Sequence, residues 1–83
     1  MSTKIPHDLE DRIKQIISKI SGVGPDEISL DAHFMKDLGV DSIQVLEIAV
    51  ALEKAFGIRI EESKFPSMTT INSVIKEITP LFK

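Results

Sequence analysis

Eighty-three residues, 42% hydrophobic and with a net charge of −3, describe one small domain spanning 1–83, near the size at which a single core is just sufficient. The absence of cysteine excludes disulfides and thiolate metal centres. No apolar run approaches the roughly 20 residues of a membrane span, and an acidic balance opposes binding to nucleic acid phosphates. With no Trp or Tyr and only four Phe, the core must be aliphatic. The amino terminus, MSTKIPHDLEDR, lacks the apolar segment of a secretory signal, so a cytoplasmic protein is expected.

The first helix is expected from about Asp8 to Ser21. Leu9, Ile13, Ile16, Ile17 and Ile20 fall on one stripe of a 3.6-residue period, with Glu10, Asp11, Arg12, Lys14 and Lys19 off it. Pro6 suits its entry, and Gly22 with Gly24-Pro25 suits its end. His7, just before it, reads as an exposed residue without chemical consequence. From Val23 to Val40 the chain is a long connection, which in a compact domain needs anchors. Val23, Ile28, Leu30, Phe34, Met35 and Leu38 are spaced to tuck into the core, and Pro25 to Ile28 suggests one short helical turn. His33, with no partner at metal-ligand or catalytic spacing, reads as structural or neutral.

The stretch Asp37 to Phe56, DLGVDSIQVLEIAVALEKAF, has a different character. A Leu-Gly turn leads to Asp41-Ser42, and the fourteen residues that follow contain neither Gly nor Pro, so a helix should begin at Ser42. A serine there lies beside unpaired backbone N–H groups and the positive end of the helix dipole, which favour an attached phosphate ester. The plainer alternative is that Asp41 and Ser42 only cap the helix. Charge concentrates here as well: between Asp37 and Glu62 there are six acidic residues against two basic ones. Such a patch suits basic partner surfaces, or else simply keeps a helical face solvated.

This second helix, Ser42 to Phe56, has few polar positions. Gln44, Glu47, Ala51 and Lys54 form a narrow stripe, Val45, Ile48, Ala49, Leu52 and Phe56 form an inward set, and Ile43, Leu46 and Val50 remain beside the stripe. A helix this apolar lies at the centre of a bundle or offers a strip to partners through Ile43, Leu46 and Val50, and both are expected to hold in part. Gly57 ends it. A short helical turn is expected at Glu61 to Phe65, stopped by Pro66, with Ile58 or Ile60 pointing inward and Phe65 or Met68 closing one end of the core. Thr69-Thr70 then caps a last helix whose stripe is Ile71, Val74, Ile75, Ile78 and Phe82, frayed near Pro80. The resulting fold is an all-α, small four-helix bundle of three main helices and one short helix, with the long loop between helices one and two.

Ser42 as a catalytic nucleophile would need a base and an oxyanion site, and His7 and His33 lie in segments that organise neither. A DNA-binding helix-turn-helix is opposed by the charge and by the lack of a basic helix. Two readings remain, an acceptor serine for a covalent group and a non-carrier helical interaction module in which Ser42 serves only as a cap.

The run Asp37-Leu38-Gly39-Val40-Asp41-Ser42-Ile43, with Glu47 a turn later, resembles the signature of the acyl carrier protein family. The resemblance extends over nearly the whole chain, through the preceding amphipathic helix and loop and the following Phe-Gly, acidic segment and Thr-Thr-Ile. It implies that Ser42 carries 4'-phosphopantetheine from coenzyme A through a phosphodiester, with Asp41 helping to position the modifying enzyme or its Mg²⁺. Acyl groups would ride as thioesters on a thiol that this cysteine-free chain does not itself supply. The protein would be a carrier and not an enzyme. Its partners would be a phosphopantetheinyl transferase and the acyl-transfer, ligase or synthase enzymes of fatty acid, polyketide or specialised lipid synthesis. The second helix would be the recognition element, through Ile43, Gln44, Leu46, Glu47, Val50 and Lys54, and the chain would act as a monomer. Ile48, Leu52, Ile60 and Met68 are expected to admit the acyl cargo. Ile43 stands where the family usually has Leu, Gln44 where an acid is common, and Lys54, Arg59 and Lys64 reduce the acidity. These departures favour a specialised acyl carrier over the general fatty acid one, and Val40-Asp41 looks more acyl than peptidyl in type.

Overall fold

A computed structural model describes residues 6–82; residues 1–5, part of the stretch read above for a secretory signal, and residue 83 lie outside it. The described chain forms three α-helices, α1 (Leu9–Ser21), α2 (Ser42–Phe56) and α3 (Ile71–Ile78), and three 3-10 segments, Pro25–Glu27, Glu62–Ser67 and Thr79–Leu81. No strand occurs among the described residues. The Glu62–Ser67 segment takes the place of the short fourth helix, and no helix of the described residues is long and apolar enough to cross a membrane.

The α1 stripe buries Leu9, Ile13 and Ile17, with Ile16 and Ile20 packed at its margins. Arg12 lies off the stripe and ties α1 to the far end of α2: its Nη2 donates to the Ala55 carbonyl at 3.2 Å, and its guanidinium lies 4.6 Å from the Phe56 ring centroid. A cation so placed satisfies a terminal carbonyl of the helix and meets the negative face of the ring. Phe56 in turn meets Phe82 edge to face, with centroids 5.7 Å apart, so α1, α2 and the carboxyl-terminal segment converge there.

Backbone hydrogen bonds to the start of α3 hold the long loop, in addition to its buried Ile28 and Phe34. The Phe34 N–H donates to the Thr69 carbonyl at 2.8 Å and the Asn72 N–H to the Leu30 carbonyl at 3.1 Å, while the Asn72 side chain donates to the Asp31 carboxylate. Val23, Leu30 and Leu38 are half-buried against the core. Met35, expected to tuck inward, is instead 49% exposed. It follows buried Phe34 on a helical turn, where neighbouring residues face about 100° apart, so the two cannot share the inward side.

The short segment also differs from expectation. It runs past Pro66 to Ser67, because a 3-10 turn uses bonds three residues apart: Lys64 N–H to Glu61 and Met68 N–H to Phe65 flank a proline that has no N–H to place. Met68 is buried with Ile60, whose N–H donates to the half-buried Glu53 carboxylate at 2.7 Å. In α3 the Thr70 hydroxyl accepts from the Ser73 N–H at 3.0 Å, and Ile71, Val74 and Ile78 are buried. The α-helix stops at Ile78 and tightens into Thr79–Leu81, since Pro80 offers no N–H to the carbonyl four residues back.

Candidate functional site

The approach to Ser42 is a chain of local caps. The His33 carbonyl accepts from the N–H groups of Asp37 (2.8 Å) and Leu38 (3.2 Å), closing a helical turn. His33 Nδ1 accepts from the N–H groups of Met35 and Lys36, both at 3.2 Å, and the Asp37 carboxylate accepts from the His33 N–H at 2.7 Å. His33 is therefore a structural cap committed to the loop, consistent with its sequence reading. Gly39, with φ 73°, reverses the chain through a left-handed conformation that a side chain would strain. Val40 then enters the core at 2% exposure, and its N–H donates to the Phe34 carbonyl at 2.9 Å. These anchors bring Asp41 to the head of α2.

Asp41, not Ser42, is the N-cap. Its Oδ1 accepts from the Gln44 N–H at 2.8 Å, and Gln44 Oε1 accepts from the Asp41 N–H at 3.1 Å, a reciprocal capping box. Gln44 also donates from Nε2 to the Ile20 carbonyl at 3.2 Å, tying the head of α2 to the end of α1. The reading in which Ser42 serves as the cap is thereby corrected: the preceding residue performs that role, because the capping residue must keep extended backbone angles (ψ 177° at Asp41) and Ser42 is already helical. Ser42 is exposed, and its hydroxyl takes part in no hydrogen bond among the described residues. The Asp41 carboxylate holds the Gln44 N–H and the Asp41 carbonyl holds that of Val45, which leaves the N–H groups of Ser42 and Ile43 at the positive end of a four-turn helix.

Ser42 lies at the rim of an open cleft of about 270 Å³ between α2 and the Glu62–Ser67 segment. Apart from Ser42 and Thr69 its lining is apolar: Phe34, Met35, Val45, Leu46, Phe65, Pro66 and Met68. Of the four residues expected to admit a cargo chain, Ile48, Leu52, Ile60 and Met68, all are buried but only Met68 lines this cleft. Val45 and Leu46 were accessible to sequence reasoning, since residues three and four positions after Ser42 share its side of the helix. Phe34, Phe65 and Pro66 were not, because they arrive from segments distant in sequence.

The outer face of α2 carries a second, shallower groove of about 400 Å³, lined by Ile43, Leu46, Glu47, Val50, Ala51 and Lys54. Ile43 is 63% exposed and Leu46 and Val50 are each 44% exposed, so the strip inferred from the sequence is on the surface. Five of the six expected recognition residues border this groove. The sixth, Gln44, is half-buried with both ends of its amide engaged in the capping box and with Ile20.

The exposed, uncommitted serine at a helix head can now be set beside known proteins. The sequence profile of the family described as the phosphopantetheine attachment site matches residues 11–78, most of the chain. An acyl carrier protein of Sulfurovum sp. (strain NBC37-1) is 37% identical over 70 residues, covering 84% of this chain and 93% of that protein. The chain belongs to the acyl carrier protein family, whose members bear 4'-phosphopantetheine and carry substrate for enzymes without being enzymes themselves.

Proposed function

We propose that Ser42 is the attachment residue for 4'-phosphopantetheine and that the chain presents acyl intermediates to the enzymes of fatty acid, polyketide or specialised lipid synthesis. The observation that carries this reading is the division of labour at the helix head: Asp41 caps, and the exposed Ser42 hydroxyl next to it makes no hydrogen bond among the described residues. The residues present fit the group. The free N–H groups of Ser42 and Ile43 and the α2 dipole favour its phosphodiester, by about 0.3–1 kcal/mol at an exposed site. The apolar cleft beside Ser42 offers room for a cargo chain, with Met68 at its buried end. The group itself supplies the thiol that a chain without cysteine lacks.

In this reading the cargo chain enters between α2 and the Glu62–Ser67 segment, and Ile48, Leu52 and Ile60 yield behind Met68 when it is long. Ile43, Leu46, Glu47, Val50 and Lys54 form the surface that the transferase and the later enzymes recognise, while Gln44 holds the serine turn in register. The second oxygen of Asp41, which makes no hydrogen bond among the described residues, faces the transferase and the Mg²⁺ that enzyme carries. With one acid and one base on the groove, Glu47 and Lys54, the face is less acidic than general fatty acid synthesis demands, which supports a specialised pathway.

The test is intact-protein mass before and after incubation with coenzyme A, Mg²⁺ and a broad-specificity phosphopantetheinyl transferase. The expected result is a gain of one phosphopantetheine in the wild type and none in Ser42→Ala. A folded wild type that gains nothing with two different transferases would favour an interaction module without a covalent group.

A further inference from the structure

Two residues lining the cleft between α2 and the Glu62–Ser67 segment carry a hydroxyl, Ser42 and Thr69, and the rest are apolar. Attachment of the arm turns the Ser42 oxygen into a phosphoester, which leaves Thr69 as the polar residue of the lining. Its backbone is already committed: the N–H donates to the Ser67 carbonyl at 3.0 Å and the carbonyl accepts from the Phe34 N–H at 2.8 Å. The hydroxyl, by contrast, lies 3.5 Å from Ser73 Oγ, at the limit of a hydrogen bond. Ser73 is served by Thr70 instead, whose hydroxyl is 3.0 Å from Ser73 Oγ and accepts from the Ser73 N–H at 3.0 Å. Thr69 is half-buried and follows buried Met68, so it stands nearer the mouth of the cleft than the methionine at its buried end.

From this placement we propose that the Thr69 hydroxyl is a polar subsite for cargo, and that the cleft retains an acyl chain with a hydroxyl on its third carbon in preference to the saturated chain of equal length. A chain whose tail reaches Met68 brings its first few carbons past Thr69. With a saturated chain, the cleft closes water off from the Thr69 hydroxyl and returns nothing beyond the long contact to Ser73, which is the costly case for a polar group. A 3-hydroxyl and the Thr69 hydroxyl can each donate and accept, so each satisfies the other as both leave water. Discrimination of this kind comes from the group that the wrong ligand leaves unpaired, not from added apolar contact. The neighbouring Val45, Leu46 and Phe65 offer a cargo hydroxyl no alternative side-chain partner. Thr69 is thus a specificity-determining residue. This inference rests on the carrier reading above and adds to it the class of cargo held.

The experiment loads the full chain at Ser42 from octanoyl-coenzyme A or 3-hydroxyoctanoyl-coenzyme A with a broad-specificity phosphopantetheinyl transferase, verified by intact mass. Retention is read as protection of the thioester from hydroxylamine, each cleavage rate being compared with that of the same coenzyme A thioester free in solution. In the wild type the 3-hydroxy cargo is expected to be protected about threefold or more over octanoyl. Thr69→Val, which keeps the branched shape and removes the hydroxyl, should abolish or reverse that ratio, whereas Thr69→Ser should keep it. Ser73→Ala, which removes only the long contact to Thr69, should keep it too. The wild type alone supplies a second reading by NMR: the Thr69 γ-methyl signal should shift further with 3-hydroxyoctanoyl than with octanoyl. Equal protection in the wild type, a ratio that survives Thr69→Val, one lost in Thr69→Ser or Ser73→Ala, or a Thr69 signal indifferent to the cargo hydroxyl would each overturn the proposal. A wild type that gains no mass from either thioester would instead remove the carrier reading on which it rests, so the two failures are distinguishable.

Discussion

Helices α1 and α2 are of similar length and both border the same core, yet they treat their apolar residues differently. All five aliphatic residues of the α1 stripe are buried or packed against the core, and its remaining positions are charged or polar. In α2, Ile48, Ala49 and Leu52 are buried, but Ile43, Leu46 and Val50 lie in solvent one face away. Fully burying such a side chain is worth about 1.5–3 kcal/mol, a gain the folded chain alone realises only in part at these three positions. A helix that only had to fold would carry polar residues there. The contrast separates residues that serve stability from the exposed strip proposed above as the recognition surface.

Substitutions sharpen that contrast. The largest loss of stability is expected on the α1 side: Ile17→Ala, at a site with 0% exposure, should destabilise by about 2–5 kcal/mol in denaturant titration. If it cost no more than an α2 surface change, the division between the helices would be broken. Next is Gly57→Ala at the end of α2, where φ is 65° and an L side chain costs roughly 1–2 kcal/mol, read as a lower unfolding midpoint. Asp41→Ala removes the cap and should cost about 1 kcal/mol, with backbone amide exchange rising at Gln44. Smallest is Val50→Ala, within about 0.5 kcal/mol in stability, paired with a raised KM for the carrier in transferase assays. A Val50→Ala protein that lost stability like a core variant would place that residue with the α1 stripe instead.

The long loop and the Glu62–Ser67 segment show a second kind of difference. The loop is irregular over most of its length and is tied to the start of α3 by the Phe34 N–H on Thr69, whereas the segment makes 3-10 bonds of its own and has an ion pair to α3, Lys64 with Glu77 at 3.8 Å. That ion pair joins a half-exposed lysine to a more sheltered glutamate and contributes little by itself. The position of the segment over α2 rests mainly on buried Met68 and on Phe65, and it is this apolar docking that creates the cleft.

Local chemistry was enough to read much of the molecule from the amino-acid order. The span of α2 from Ser42 to Phe56, the Thr70 cap, the core stripes of α1 and α3 and the placing of Ser42 at a helix head all follow from periodicities and capping rules that act within a turn or two of chain. The exposure of Ile43, Leu46 and Val50 was legible too, as an excess of apolar positions that one buried face cannot absorb. Only the tertiary structure decided which of Asp41 and Ser42 performs the capping, that Gln44 reaches back to Ile20, that Met35 turns outward, and that Phe34, Phe65 and Pro66 meet Val45 and Leu46 around a cleft. The reason is physical: the Gln44 bond to Ile20 and the meeting of the loop and the 3-10 segment with α2 depend on contacts between separate elements, while the cap and the turn of Met35 are local geometries for which the sequence offers more than one competent choice, Asp and Ser both being able to cap.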